Sequence, residues 1–191
     1  MNTTKKTTQF TRLALLAALL VVLGCTPLGF ISIPPISITL MHIPVIIGSL
    51  MLGATYGGVL GLVFGLVSML KAATSPNPAD LVFSPFASGM PLASLVMCIG
   101  PRVILGILPA ILNKLLFKVL KKQAINFTIS ACISTAVHTI LVLGCLSLFF
   151  KAIPVQEIFM YIIGVNGVLE MVAAGVLATG VCVPLKKNHV I

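Results

Sequence analysis

Apolar residues run through this chain in long blocks, and polar residues gather in the breaks between them. The blocks predict helices over about 11–29, 40–53, 56–71, 92–117, 125–150 and 156–184. A bilayer crossing takes about 20 residues, so the second and third blocks are short for one. A tight turn between Gly53 and Gly57 makes those two a helical hairpin. The break at 27–40, PLGFISIPPISITL, cannot continue a helix through Pro34 and Pro35, and its β-branched residues favour an extended backbone. It reads as an apolar loop or cap. The break at 72–91 holds Ser75, Asn77, Asp80, Ser84 and four prolines, which makes it a loop at a membrane surface. The expectation is an all-α fold: one membrane domain over 1–191, a bundle of six transmembrane helices.

Composition agrees. Of 191 residues, 59% are hydrophobic and 8% charged, against about a quarter charged in soluble domains, and the mean hydropathy is +1.20. An ordinary soluble fold is excluded. A net charge of +9 would suggest nucleic acid in a soluble protein, but the basic residues stand as short clusters between apolar blocks, so nucleic acid is not an expected partner.

Threading six helices from a cytoplasmic N-terminus puts nine of the twelve basic residues inside: Lys5, Lys6, Arg12, Lys114, Lys118, Lys121, Lys122, Lys186 and Lys187. Lys71 and Lys151 fall outside with Asp80 and Glu157, and both termini are cytoplasmic. The clusters read as topology signals of a multi-pass bacterial cytoplasmic membrane protein in its lipid bilayer. Five dispersed cysteines without CxxC or Cys/His spacing read as packed side chains, not a metal or disulfide framework.

Charges inside a membrane are costly, about 2.5–3.5 kcal/mol each at the bilayer centre, and only Arg102 and Glu170 fall there. Arg102 lies about 15 Å below the outer end of the fourth helix and Glu170 about 20 Å below that of the sixth. His138, about 20 Å up the fifth helix from its inner end, joins the same layer. Ser130, Ser134 and His138 repeat every four residues, as do Asn166 and Glu170, so each set shares a helix face. This polar layer is either a ligand pocket or an Arg102–Glu170 ion pair that holds the bundle together. Gly57, Gly61 and Gly65 form a small-residue face suited to internal packing; Ala14 and Ala18 form a weaker one, open to internal packing or to a partner protein. No nucleophile motif, metal-ligand spacing or phosphate-binding loop is present, so catalysis, ATP hydrolysis by this chain and a bound cofactor are not expected.

The six-span plan, the first helix LALLAALLVVLG, the segment ITLMHIPVIIGSLMLGATYGGVLGLVFGLVSML, the run PRVILGILPAIL and the NGVLE of the last helix together resemble the substrate-binding (S) component of energy-coupling factor (ECF) vitamin transporters, most nearly the pantothenate type. The resemblance implies a subunit that binds a vitamin from outside in a cavity lined by the fourth to sixth helices. It implies that the outer loops 27–40 and 72–91 close over that cavity. It also implies that Ala14 and Ala18 dock a transmembrane coupling subunit, which two cytoplasmic ATPase subunits complete.

The chain has no Trp and two Tyr, so rings that stack and hydrogen-bond a flat heterocycle are scarce, which disfavours thiamin, riboflavin or folate. A buried Arg102 suits a substrate carboxylate, and His138, Asn166 and Glu170 suit hydroxyl and amide groups. Pantothenate has all of these, with Asn77 and His42 as added contacts from the loops. If Glu170 neutralises Arg102, a neutral pyridoxine-like or pyrimidine compound fits instead. Other vitamins (riboflavin, folate, niacin), a stand-alone transporter using Glu170 as proton carrier and a ligand-free scaffold stay as alternatives.

Overall fold

The computed structural model describes residues 3–26, 29–33, 36–75, 78–150 and 167–187. In chain order these form α1 (Thr3–Cys25), strands β1 (Phe30–Ile33) and β2 (Ile36–Thr39), α2 (His42–Leu52), α3 (Ala54–Ala72), a 3-10 turn (Pro78–Phe83), α4 (Pro91–Leu116), α5 (Gln123–Phe149) and α6 (Val168–Lys187). The first part of the sixth block, with Glu157 and Asn166, and Asn77 in the outer loop lie outside the described residues.

Five helices, α1 and α3 to α6, are long and apolar enough to cross a membrane. The 11 residues of α2 rise only about 16 Å, half the hydrocarbon thickness of about 30 Å. The sequence block of 40–53 is therefore a helix, but not by itself a full crossing. It sits at the centre of the bundle, with His42 to Ile46, Gly48 and Ser49 all buried.

The bundle is helical as expected, with one short extended element and one shifted boundary. Strands Phe30–Ile33 and Ile36–Thr39, within the segment expected to be extended, pair antiparallel, Phe30 with Thr39 and Ile33 with Ile36. Alternating β-branched residues on either side of two prolines satisfy their backbone groups in this ladder, since neither side can continue a helix. The first helix begins at Thr3, not near residue 11, because nothing in the polar N-terminal turn breaks it; it ends at Cys25, as Pro27 disfavours helical geometry just before it.

Gly53 separates α2 from α3 with a φ of 99°, a conformation that side chains with a Cβ rarely adopt; its N–H donates to the Ser49 carbonyl at 2.9 Å. The α3 glycines then pack directly on α4. A Cβ at Gly57 would meet the Gly106 carbonyl, one at Gly61 the Arg102 carbonyl, and one at Gly65 that of Cys98. Positions rising by four on α3 meet positions falling by four on α4, so the two helices run antiparallel at backbone contact.

The interior gathers polar groups while the exterior is apolar, the reverse of a water-soluble fold. Arg102, Asn126, Ser130, Ser134, Thr135 and His138 are buried, while Leu15, Leu70, Leu92, Ile140 and Val176 are exposed. Alongside these polar groups, Leu20, Val45, Ile46, Leu60, Phe64, Leu105, Ala131 and Ala178 pack one core drawn from every described helix.

Candidate functional site

Arg102, on α4, is 7% exposed. Its surroundings follow from the residue before it. Pro101 has no N–H to give the carbonyl one turn back, so Met97 O lacks its helical partner. Arg102 Nη1 donates to that oxygen at 2.7 Å. The guanidinium carbon also stands 5.6 Å from the ring centre of Phe64 on α3 and 5.5 Å from that of Phe83 in the 3-10 turn, within the range of cation–π attraction. Arg102 Nε is buried and has no hydrogen-bond partner among the described residues.

Phe64 links this cation to α5, its ring centre lying 6.1 Å from that of His138. His138 Nε2 is buried without a partner, as are Oγ of Ser134 and Ser130 below it. His42 opens α2, is 1% exposed, and shares a 2.7 Å hydrogen bond between Nδ1 and the Thr39 carbonyl. A carbonyl only accepts, so Nδ1 carries the proton. The Thr39 N–H in turn donates to Glu170 Oε1 at 3.4 Å, which ties the root of the hairpin to α6.

Arg102 and Glu170 sit within electrostatic reach of each other, but among the described residues no ion pair joins them, and Nη1 donates to Met97 while Oε1 accepts from Thr39. The ion-pair reading of the polar layer therefore does not describe this arrangement. The loop between α3 and α4 reaches the same place. Ser94 Oγ donates to the Val82 carbonyl at 2.6 Å and Cys98 Sγ to that of Phe83 at 3.0 Å, so α4 itself holds Phe83 against Arg102.

Of the residues singled out in the sequence, Arg102, His138, Glu170 and His42 come together from four helices, and Asn166 and Asn77 lie outside the described residues. Ala14 and Ala18 stand apart, exposed on α1, while Leu13, Leu16, Ala17, Leu20 and Leu23 of that helix turn inward. Sequence reasoning missed Phe64, Phe83, Met97 and Thr39. No spacing rule points to a phenylalanine in another segment; Pro101 inside an apolar helix was a visible signal for Met97. Among the described residues no cluster of three His, Cys, Asp or Glu could hold a metal ion.

Residues 8–183 match the family described as "ECF transporter, substrate-specific component". The chain belongs to this family. It is also 33% identical over 162 residues to "Pantothenic acid transporter PanT" of Lactococcus lactis subsp. cremoris (strain MG1363), the match covering 80% of each chain. The S component is thus a multi-pass protein of the cell membrane, and the polar layer is the part of it whose chemistry suits a small polar ligand.

Proposed function

We propose that this S component captures pantothenate from the outer side of the membrane and delivers it inward as part of an ATP-driven importer. The observation that carries the reading is Arg102: a buried cation with one edge held by Met97, aromatic rings beside it and Nε without a partner. Such a group is poised to accept a carboxylate through charge-assisted hydrogen bonds. His138 Nε2 offers a further polar contact for the amide or hydroxyls. The relative named for pantothenic acid supports the same substrate. Glu170 Oε1 accepts from the Thr39 N–H, and an Arg102 not paired with it favours an acid over a pyridoxine-like or pyrimidine compound.

The remaining parts of the reading are the six-crossing topology with both termini cytoplasmic, the loops 27–40 and 72–91 as covers of the site, and Ala14 and Ala18 as the docking face for a coupling subunit that joins two ATPases. The exposure of both alanines on a helix packed by its other face supports the last of these. Isothermal calorimetry of the purified protein against a panel of water-soluble vitamins tests the substrate. One-to-one binding of pantothenate, with none of riboflavin, folate, niacin or pyridoxine, is the expected result; binding of another vitamin instead overturns it.

A further inference from the structure

Four residues of α5, Asn126, Ser130, Ser134 and His138, recur at every fourth position, and none is more than 6% exposed. Each has a buried polar atom without a hydrogen-bond partner among the described residues: Asn126 Oδ1, Ser130 Oγ, Ser134 Oγ and His138 Nε2. A hydroxyl in mid-helix can donate to the carbonyl one turn back, and Thr128 and Thr135 of the same helix do so, to Ala124 and Ala131 at 3.0 Å each. Ser130 and Ser134 do not. An unsatisfied buried hydroxyl is destabilising, so two in succession below His138 leave hydrogen-bonding capacity that the described residues do not fill. Asn126 ends the row, its Nδ2 tied to the Leu120 carbonyl at 2.9 Å.

We propose that Ser134 and Ser130 read the hydroxyl groups of the substrate, which lies with its carboxylate on Arg102 and its hydroxyl-bearing end along α5 toward Asn126. The inference rests on the pantothenate reading above and adds an orientation and a subsite to it. Ser134 is about 6 Å along the helix from His138, and Ser130 about 12 Å. An acid whose carboxylate and hydroxyls are separated by the length of two to three extended residues, about 7–10 Å, reaches from the Arg102 layer to this pair. A hydroxyl both donates and accepts, and so does serine, so each substrate hydroxyl finds a match whichever way its proton points. A flat heteroaromatic acid without hydroxyls leaves both serines unpaired. The competing account is that ordered waters alone occupy the row.

Calorimetry with three probes separates these accounts: pantothenate, panthenol, which keeps the hydroxyls but replaces the carboxylate by an alcohol, and an N-acyl-β-alanine without hydroxyls. The Ser130→Ala/Ser134→Ala variant, checked for folding by its thermal transition, is expected to bind pantothenate about tenfold to hundredfold more weakly. Panthenol should weaken likewise, while the weaker binding of the N-acyl-β-alanine stays unchanged. Unchanged pantothenate affinity, or an equal loss for all three probes, overturns the subsite and leaves the pantothenate reading intact. Wild-type protein that binds none of the three overturns both.

Discussion

Arg102 Nη1 donates at 2.7 Å to the carbonyl of Met97, an oxygen that Pro101 leaves without a helical partner. The proline is thus part of the site. It creates an acceptor in mid-helix, and that acceptor turns a guanidinium back along its own helix and fixes one of its edges. Replacing Pro101 with Ala restores an N–H that competes for Met97 O. Pro101→Ala is expected to keep or raise the thermal transition of the ligand-free protein, since proline is unfavourable within a helix. It should weaken pantothenate binding by about 1.5–3 kcal/mol, the scale of one hydrogen bond to a charged group. Calorimetry and a thermal melt on the same preparation check both signs.

Arg102 itself should be irreplaceable by lysine. An ammonium can take the Met97 carbonyl, but it has no second planar donor edge to offer a carboxylate. Both Arg102→Ala and Arg102→Lys are expected to lose pantothenate affinity by at least about a hundredfold, near 2.7 kcal/mol, while remaining monodisperse in size-exclusion chromatography. Retained binding in the lysine variant would show that charge alone suffices and that the fixed edge is irrelevant.

The helices and the polar layer were legible in the sequence because a bilayer makes long apolar blocks obligatory and buried charge rare. Arg102, His138 and Glu170 stood out for that reason; Phe64 lies between Arg102 and His138, and Thr39 links Glu170 to His42. Which face of α1 turns inward was not legible: Leu13 and Leu16 pack against the core while Leu15 and Leu19 face outward, and hydropathy is the same on both sides when lipid is as apolar as protein. Thr39 and Phe83 were hidden for another reason. Their place beside the layer depends on how two loops fold back, and the contacts that hold them there, Thr39 to Glu170 and Phe83 to Cys98, are tertiary and leave no local periodicity.

Gly61 makes the coupling between packing and site testable. A methyl group there would run into the Arg102 carbonyl and the α4 backbone around it, whereas one at Gly144 or Gly180 meets no described residue within 4 Å. Gly61→Ala is expected to destabilise the protein by about 1–3 kcal/mol, the usual cost of overpacking, and to weaken pantothenate binding as α4 shifts. Gly144→Ala and Gly180→Ala should change neither. Thermal melts of the three variants with and without pantothenate compare them directly, and an undisturbed Gly61→Ala protein would contradict the α3–α4 backbone contact.

If the outward face of α1 is the docking face proposed above, capture and coupling are separable by substitution. Ala14 and Ala18 are exposed, with Phe10, Leu15, Leu19 and Val22 around them, and the residues of α1 that pack the core lie on its other side. Small residues let a second helix approach closely, and a leucine at either position holds it off. The substitution touches no group of the polar layer. Ala14→Leu/Ala18→Leu is therefore expected to bind pantothenate with wild-type affinity but to lose co-purification with the coupling subunit and ATPases, and with it ATP-dependent uptake in vesicles. Loss of pantothenate binding in this variant would mean that α1 supports the site itself; intact co-purification would move the docking face elsewhere on the bundle.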